Sequence, residues 1–223
     1  VPYPLVPMNN LREWSLIDRI IKGQTIPIFD NGNTKTTLTH NFDFSKGVVG
    51  LFMNENAYGE AYHITSDEVV TWNDVLRELG KILHREIHIA NIERKDIYKY
   101  LVGYEQLIEY DKGRDTIFDN SKIKESVPSY STTVTLHEGL CRMIEFYQEH
   151  PNLQEIDFAW NGKVDRMLKK TVGIKEKFKT KCTLKERILY WSGRYEMCDM
   201  LMKTLKPLEN WMKMFGKRLR TFK

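Results

Sequence analysis

Three side chains in one short stretch, "TLTHNFDFSKG", are of types that handle protons and hydroxyl groups: Thr39, His40 and Asp43. An imidazole and a carboxylate this close could exchange a proton with a bound molecule. A threonine hydroxyl could orient a hydroxylated or carbonyl compound, because it both donates and accepts a hydrogen bond. A structural reading stands beside each of these. Asp43 lies where a helix should start, so its carboxylate can cap the free first-turn N–H groups and organise the loop. His40 reads equally as a packed, hydrogen-bonding group or as a substrate contact. Further on, "GEAYHITSDEVVTWNDV" gathers Thr65, Ser66, Asp67 and Glu68, whose short oxygens suit turns and caps, while His63 alternates with Tyr62 and reads as structural. No nucleophile or metal site stands out. Cys141, Cys182 and Cys198 are an odd number without C-x-x-C spacing, and no adjacent His supplies a base, so they read as small apolar residues rather than reactive thiols.

The elements that must position these residues follow from hydrophobic spacing. Asn9 or Asn10 can cap a helix with Trp14, Ile17, Ile20 and Ile21 on one face and Gly23 as terminator. "TIPIF" reads as a strand, "DNGN" as a hairpin turn, because Asn-Gly tolerates positive φ, and "TTLTH" as the returning strand. The helix opening near Asp43 should bury Phe44, Val48, Leu51 and Phe52. "EAYHIT" alternates as a strand, and Thr71 with Asp74 forms a capping-box pair ahead of Trp72, Val75, Leu76, Leu79, Ile82 and Leu83. "EIHIA" reads as another strand, 93–112 as partly exposed helix, and "TIFDNSKIKESVP" as a strand and short helix stopped at Pro128. Thr135 and Glu138 open a helix that turns Leu136, Leu140, Met143, Ile144 and Tyr147 inward. Strands alternate with helices, which favours an α/β fold.

Charge divides the chain. Residues 1–162 hold 16 Lys and Arg against 24 Asp and Glu, a net −8, whereas residues 163–223 hold 18 against 6, a net +12. The character of the chain changes near residue 173, so we expect two parts, 1–172 and a basic amphipathic helical tail at 173–223. In the second, Thr183 and Glu186 suit a helix start. Beyond Pro207, Leu208, Trp211, Met212, Phe215, Leu219 and Phe222 make an apolar stripe opposite Lys213, Lys217, Arg218 and Arg220. Such a basic amphipathic tail either packs on the acidic domain or makes a peripheral contact with an anionic membrane surface or a partner protein. Nothing resembles an RNA-recognition motif, so no nucleic-acid partner is expected. The chain is 41% hydrophobic, enough for an ordinary core, but no apolar run reaches the roughly 20 residues that span a bilayer, and no signal peptide opens it. These features point to a cytoplasmic protein.

The segments "GQTIPIFDNGNTKTTLTHNFDFSKGVVGLF", "GEAYHITSDEVVTWNDVLRELGKIL" and "FDNSKIKESVPSY", with "TLHEGLCRMIEFY" after them, resemble in order and spacing the C-terminal half of the NAD-dependent epimerase/dehydratases. These are extended short-chain dehydrogenase/reductases, and the match covers about residues 9–170. The resemblance implies the C-terminal part of a Rossmann-type fold, consisting of the substrate domain with some remaining strands and helices, followed by the helical tail. It implies NAD or NADP as cofactor, a small-molecule substrate with a sugar nucleotide as one candidate, and Thr39, His40 and Asp43 beside the substrate region. The family's other requirements are not met. A dinucleotide needs a glycine-rich turn at a helix N-terminus. Here Gly47 and Gly50 fall inside a helix and read as close packing. The family's Tyr and Lys four positions apart have no counterpart, the nearest being Tyr110 and Arg114. Where sugar-nucleotide members commonly carry an Arg for the diphosphate, Lys35 is the only cation. The chain is therefore expected to lack the nucleotide-binding and catalytic segments, and by itself to bind no NAD(P) and be inactive.

Overall fold

The "DNGN" turn does bend through left-handed backbone, with φ of 48° at Asp30, 54° at Asn31 and 68° at Gly32, but it closes no hairpin. The strand before it, β1 (Ile26–Ile28), and the strand after it, β2 (Lys35–Thr37), belong to different sheets. β1 runs parallel to β4 (Ile89–Asn91), with Ile26 opposite Ile89, and β2 runs antiparallel to β3 (Val69–Thr71), with Lys35 opposite Thr71. A parallel pair needs a long crossover, and the intervening chain supplies it. The turn is fixed from outside. Asn73 donates to the Asn31 carbonyl at 2.6 Å, Asn91 accepts from the Asn31 N–H at 2.9 Å, and the Arg94 guanidinium grips the Asp30 carboxylate.

The computed structural model describes residues 14–52 and 54–195. The expected cap at Asn9 or Asn10 and the stripe at 208–222 lie outside the described residues. The chain divides into two compact units, Val1–Ile156 and Asp157–Lys223. Residue 172, the expected boundary, directly follows a helix of the second unit.

In the first unit, α1 (Trp14–Ile21) precedes β1, and α2 (Asn41–Leu51) follows β2. The "EAYHIT" segment was expected to be a strand, yet residues 60–66 pair with no strand among the described residues, and the chain enters a sheet only at β3. Its period of two persists in burial all the same, with Tyr62 and Ile64 turned inward and Ala61 and His63 outward. α3 (Trp72–Ile82) is capped as its sequence requires: Thr71 Oγ1 accepts from the Asp74 N–H at 3.2 Å while the Asp74 carboxylate accepts from the Thr71 N–H at 2.8 Å. Trp72, Val75, Leu76 and Leu79 are buried. α4 (Arg94–Tyr100), α5 (Tyr104–Leu107) and a π turn at Ile108–Lys112 fill the expected helical stretch. The strand expected at "TIF" reduces to one bridge between Thr36 and Thr116 ahead of α6 (Ser121–Ser126). α7 (Leu136–Glu149) buries Leu136, Leu140, Met143, Ile144 and Tyr147, as its spacing demands.

The second unit, as far as it is described, is a helical pair, α8 (Phe158–Thr171) and α9 (Leu184–Arg194). Gly162 and Gly193 face each other at the crossing. A Cβ on Gly162 would fall against the Tyr190 carbonyl, and one on Gly193 against the Ala159 carbonyl, so only hydrogen permits this approach. Beside it the buried Asp165 carboxylate accepts from the Tyr190 hydroxyl at 2.6 Å and from Arg194 at 3.2 Å. Burial, together with the Asp165 charge, pushes the Tyr190 phenol pKa well above its ordinary value, so it stays a donor.

Candidate functional site

The polar junction around α2 is knit together by contacts between segments far apart in sequence. His40, not Asp43, is the N-cap: its Nδ1 accepts from the Phe42 N–H at 3.1 Å, which places the ring proton on Nε2. His40 is buried. Burial first, then the Arg142 charge, lowers its pKa against the opposing pull of Asp43 and Glu138, so the ring is neutral at neutral pH.

Asp43 caps nothing in its own helix, which corrects the expected role. From the first turn of α2 its fully buried carboxylate reaches across to residues 133 and 134. It accepts the N–H groups of Thr133 and Val134, both at 2.9 Å, and the Thr133 hydroxyl at 3.0 Å, while the Lys46 ammonium completes its shell at 2.8 Å. Burial by itself would raise the Asp43 pKa. The Lys46 ammonium and these three donors outweigh it and hold the carboxyl below the usual carboxylate range. Asp43 is thus an ionised loop anchor with its acceptor positions occupied, not an acid or base free to work.

Thr39 Oγ1 accepts from the Ser66 N–H at 2.9 Å, and Ser66 Oγ accepts from the Glu68 N–H at 3.1 Å. The Glu68 carboxylate reaches the first N–H of α7, at Leu136, at 2.8 Å. Asp67 pairs with Lys124 and accepts from Asn120 at 2.9 Å and from the Thr132 hydroxyl at 3.2 Å. The Thr65 carbonyl accepts from Asn120 at 2.9 Å and from the Tyr130 hydroxyl at 3.1 Å. Burial, reinforced by Asp43 and Asp67, pushes the Tyr130 phenol up to about 12. The turn and capping role expected for residues 65–68 holds for Ser66 and Glu68, whose side chains accept backbone N–H groups; Asp67 takes side-chain donors instead, and the buried Thr65 hydroxyl meets no hydrogen-bond partner among the described residues. His63 lies on the surface with its ring 4.8 Å from that of Phe118. Sequence reading missed Lys46, Asn120, Tyr130 and Thr133. Their only signal was polarity in a stretch that carries no regular periodicity.

α2 is also turned from the face expected: Val48 and Leu51 are half-buried, Leu51 on the apolar cluster, but Phe44 and Phe52 are exposed. Its buried positions are Asp43 and Gly47, with Phe42, Phe44, Val49 and Phe52 exposed. A Cβ on Gly47 would meet Ile64 at 2.5 Å and Tyr130 at 3.2 Å, and one on Gly50 would meet Val127. These glycines let α2 settle onto the apolar cluster of Ile123, Val127 and Tyr130, with Leu51, Tyr62 and Ile64 packed against it. The close-packing reading of Gly47 and Gly50 is correct. The pair cannot cradle a pyrophosphate, because side chains already fill the space beside it.

One expectation about cysteine fails. His137, one turn before Cys141 on α7, brings Nε2 to 3.6 Å from the Cys141 sulfur and Nδ1 to 3.0 Å from Glu78. A base is therefore adjacent. Burial and the carboxylates of Glu145, Glu78 and Glu138 nevertheless push the thiol pKa up and keep it protonated. An open cleft of about 600 Å³ lies elsewhere, between α3 and the turn after it, lined by Asn73, Arg77, Lys81, His84 and Arg85 among others. None of Thr39, His40 and Asp43 borders it, and Arg77 and Lys81 are already paired with Asp74 and Glu78. Among the described residues, no group of His, Cys, Asp and Glu could hold a metal ion, and no helix is long and apolar enough to cross a membrane.

No protein-family model matches the sequence, and no curated protein matches it. Solved structures do. An epimerase from the methanogen Methanothermobacter thermautotrophicus aligns at 17% identity with a TM-score of 0.53, over 66% of this chain and 40% of its own. UDP-glucuronic acid 4-epimerase from Bacillus cereus, solved with UDP-glucuronic acid and NAD, gives 22% identity and a TM-score of 0.48, over 60% and 38%. The dTDP-glucose 4,6-dehydratase of Bacillus anthracis gives 15% and 0.48, over 61% and 39%. The chain spans about two fifths of the length of these structures. The likeness to the methanogen protein establishes the fold, which is part of a Rossmann-type α/β architecture.

Proposed function

We propose that this chain is the substrate-domain portion of an NAD(P)-dependent epimerase, dehydratase or reductase. Its dinucleotide-binding and proton-transfer residues would lie outside residues 1–223. The observation that carries this reading is the uncovered side of α2. Phe42, Val49 and Phe52 recur at helical spacing opposite Asp43, Gly47 and Gly50, and all three are exposed. On the inner side of α2, residues 60–66 keep a strand's alternation and pair with no strand among the described residues. A sheet-bearing nucleotide domain would pair the second and cover the first, since unpaired strand-like backbone and contiguous apolar surface both favour a partner.

In this reading Thr39, His40 and Asp43 are positioning residues. Asp43 locks the 132–134 backbone, Thr39 locks residue 66, and the neutral His40 fixes where α2 begins. A hydroxylated or carbonyl compound is the expected substrate class, with a sugar nucleotide as one candidate. NAD or NADP would be held by the other portion.

Two measurements test this. Calorimetric titration of the chain with NAD and NADP should detect no binding tighter than about 10 μM, roughly −7 kcal/mol. Tighter binding would place a nucleotide site within these residues and sink the reading. The coding sequence upstream of Val1, or that of a neighbouring reading frame, should encode a glycine fingerprint and a Tyr/Lys pair.

A further inference from the structure

We infer that the outward face of α9, with the lysine row that leads into it, docks on an anionic lipid surface. The inference does not depend on the reading of the first unit. α9 buries Tyr190 and Gly193 and turns the opposite side to solvent. On that side Leu184, Ile188, Trp191 and Tyr195 recur at intervals of four, three and four residues, which is one stripe of a helix. Leu184 is 75% and Ile188 59% exposed. Trp191 and Tyr195 lie nearly parallel, with ring centroids 5.5 Å apart. Lys185 and Arg187 flank the stripe, while Glu186, the acidic residue between them, is turned back to accept from Thr183 as the helix cap.

The segment before α9 supplies more charge in an ordered way. From Ile174 to Cys182, half-buried residues alternate with exposed Lys175, Lys177, Lys179 and Lys181. Phe178, one of the half-buried positions, places its ring 4.2 Å from that of Tyr190, and the four lysines are the exposed positions on either side of it. Over 175–187 there are six cations and two acids.

Apolar stripe, interfacial aromatics and flanking cations are together the composition of a helix lying in a membrane interface. There the apolar side chains enter the acyl boundary while lysines reach anionic headgroups. A nucleic-acid backbone would use the lysine row but leave Leu184 and Ile188 without a role. An ordinary protein surface would use the stripe but not the excess charge.

The experiment uses the full chain and sedimentation with vesicles of phosphatidylcholine, with and without phosphatidylglycerol. The protein should sediment with the anionic vesicles only, and binding should fall about tenfold or more at about 1 M salt, where the screening length is about 3 Å. Leu184→Glu combined with Ile188→Glu should abolish sedimentation. Glutamine at Lys175, Lys177, Lys179 and Lys181 should weaken it at least about tenfold. Leu184 and Ile188 are exposed, so both variants should keep their circular dichroism, and Ile188→Ser serves as the milder change should the double variant misfold. Equal binding to neutral vesicles, unchanged binding by both variants, or no binding at all would each overturn the proposal. So would binding of a single-stranded oligonucleotide, with the same salt dependence, by a chain that ignores vesicles.

Discussion

α2 and α9 are both eleven residues long, and both turn large apolar side chains toward solvent, yet the charge around the two faces differs. In α2 the single cation, Lys46, folds inward to Asp43 and the Thr133 hydroxyl and lies 4.5 Å from the Phe42 ring centroid. That cation sits at the Phe42 end of the outward face, and toward the other end Val49 and Phe52 have no charged residue of the helix beside them. In α9 Arg194 folds inward to Asp165, but Lys185 and Arg187 stay at the edges, and the helix packs an aromatic network beneath them. A face without charge suits a protein neighbour that buries it whole, and a face rimmed by cations suits an anionic surface that it only enters. The inner faces differ as well. α2 is held by one ionised side chain reaching across the sequence, and α9 by two glycines and local contacts.

The largest expected effect removes the anchor of α2. Asp43→Ala strands the buried N–H of Val134, removes the partner of the Thr133 N–H and hydroxyl, and leaves Lys46 without its carboxylate. Each orphaned buried donor costs about 1–3 kcal/mol, so a loss on the order of 3 kcal/mol is expected in urea unfolding followed by far-ultraviolet circular dichroism. Asp43→Asn keeps one acceptor oxygen and should lose about half as much. Had Asp43 been the helix cap that the sequence suggests, Asn would have substituted at almost no cost. Equal, small losses from both would restore the cap reading.

That contrast shows what the sequence could and could not disclose. The capping boxes Thr71–Asp74 and Thr183–Glu186 were legible, because both partners sit within one turn and the geometry is local. So were the buried stripes of α3 and α7. The hairpin at "DNGN" was misread because Asn31 and Gly32 do adopt positive φ, but the strand partner of Ile26 is Ile89, chosen by tertiary contact rather than by the turn. "EAYHIT" carries a strand's pattern without a ladder, because pattern records which side is buried and not whether a partner strand is present. In the candidate site, Thr39, His40 and Asp43 were found as polar residues in an unusual place. Their partners at 66 and 133 could not be found, because the loop around 133 has no periodicity to place it.

The second expected effect tests the inner face of α9. Gly162→Ala or Gly193→Ala drives a methyl group into backbone of the facing helix, which cannot rotate away. About 2 kcal/mol should be lost, within the usual range for overpacking, read as a lower midpoint in thermal unfolding. Gly47→Ala in α2 meets the end of the Ile64 side chain, which can shift, so its cost should be smaller. The reverse order would mean that the α8–α9 crossing is looser than the α2 contact.

A third, smaller effect is a pH dependence set in the first unit. The His40 pKa is lowered in the folded chain, so the unfolded chain takes up a proton first. The associated stability is complete above the ordinary value of 6.5 and is lost as pH falls below it. Asp43, also lowered, acts in the same direction but only from 3.8 downward. Unfolding midpoints should therefore begin to drop below pH 6.5. His40→Asn, which can cap without titrating, should remove that first drop at a cost of about 1 kcal/mol or less at neutral pH. A drop that persists unchanged in the variant would assign it to another group.

The smallest effect on stability is the most informative about the two outer faces. Phe52→Ser on α2 and Ile188→Ser on α9 each replace an exposed apolar side chain, 68% and 59% accessible, so each should change unfolding free energy by no more than about 0.5 kcal/mol. Their binding phenotypes should part. Ile188→Ser should weaken sedimentation with anionic vesicles, because it removes apolar area from a face whose cations remain. Phe52→Ser should leave vesicle binding intact and weaken association with a separately expressed nucleotide-binding portion, because its surroundings offer no charge to hold a lipid headgroup. If both changes weakened vesicle binding equally, the charge around each face would not be what selects its partner, and apolar exposure alone would explain both helices.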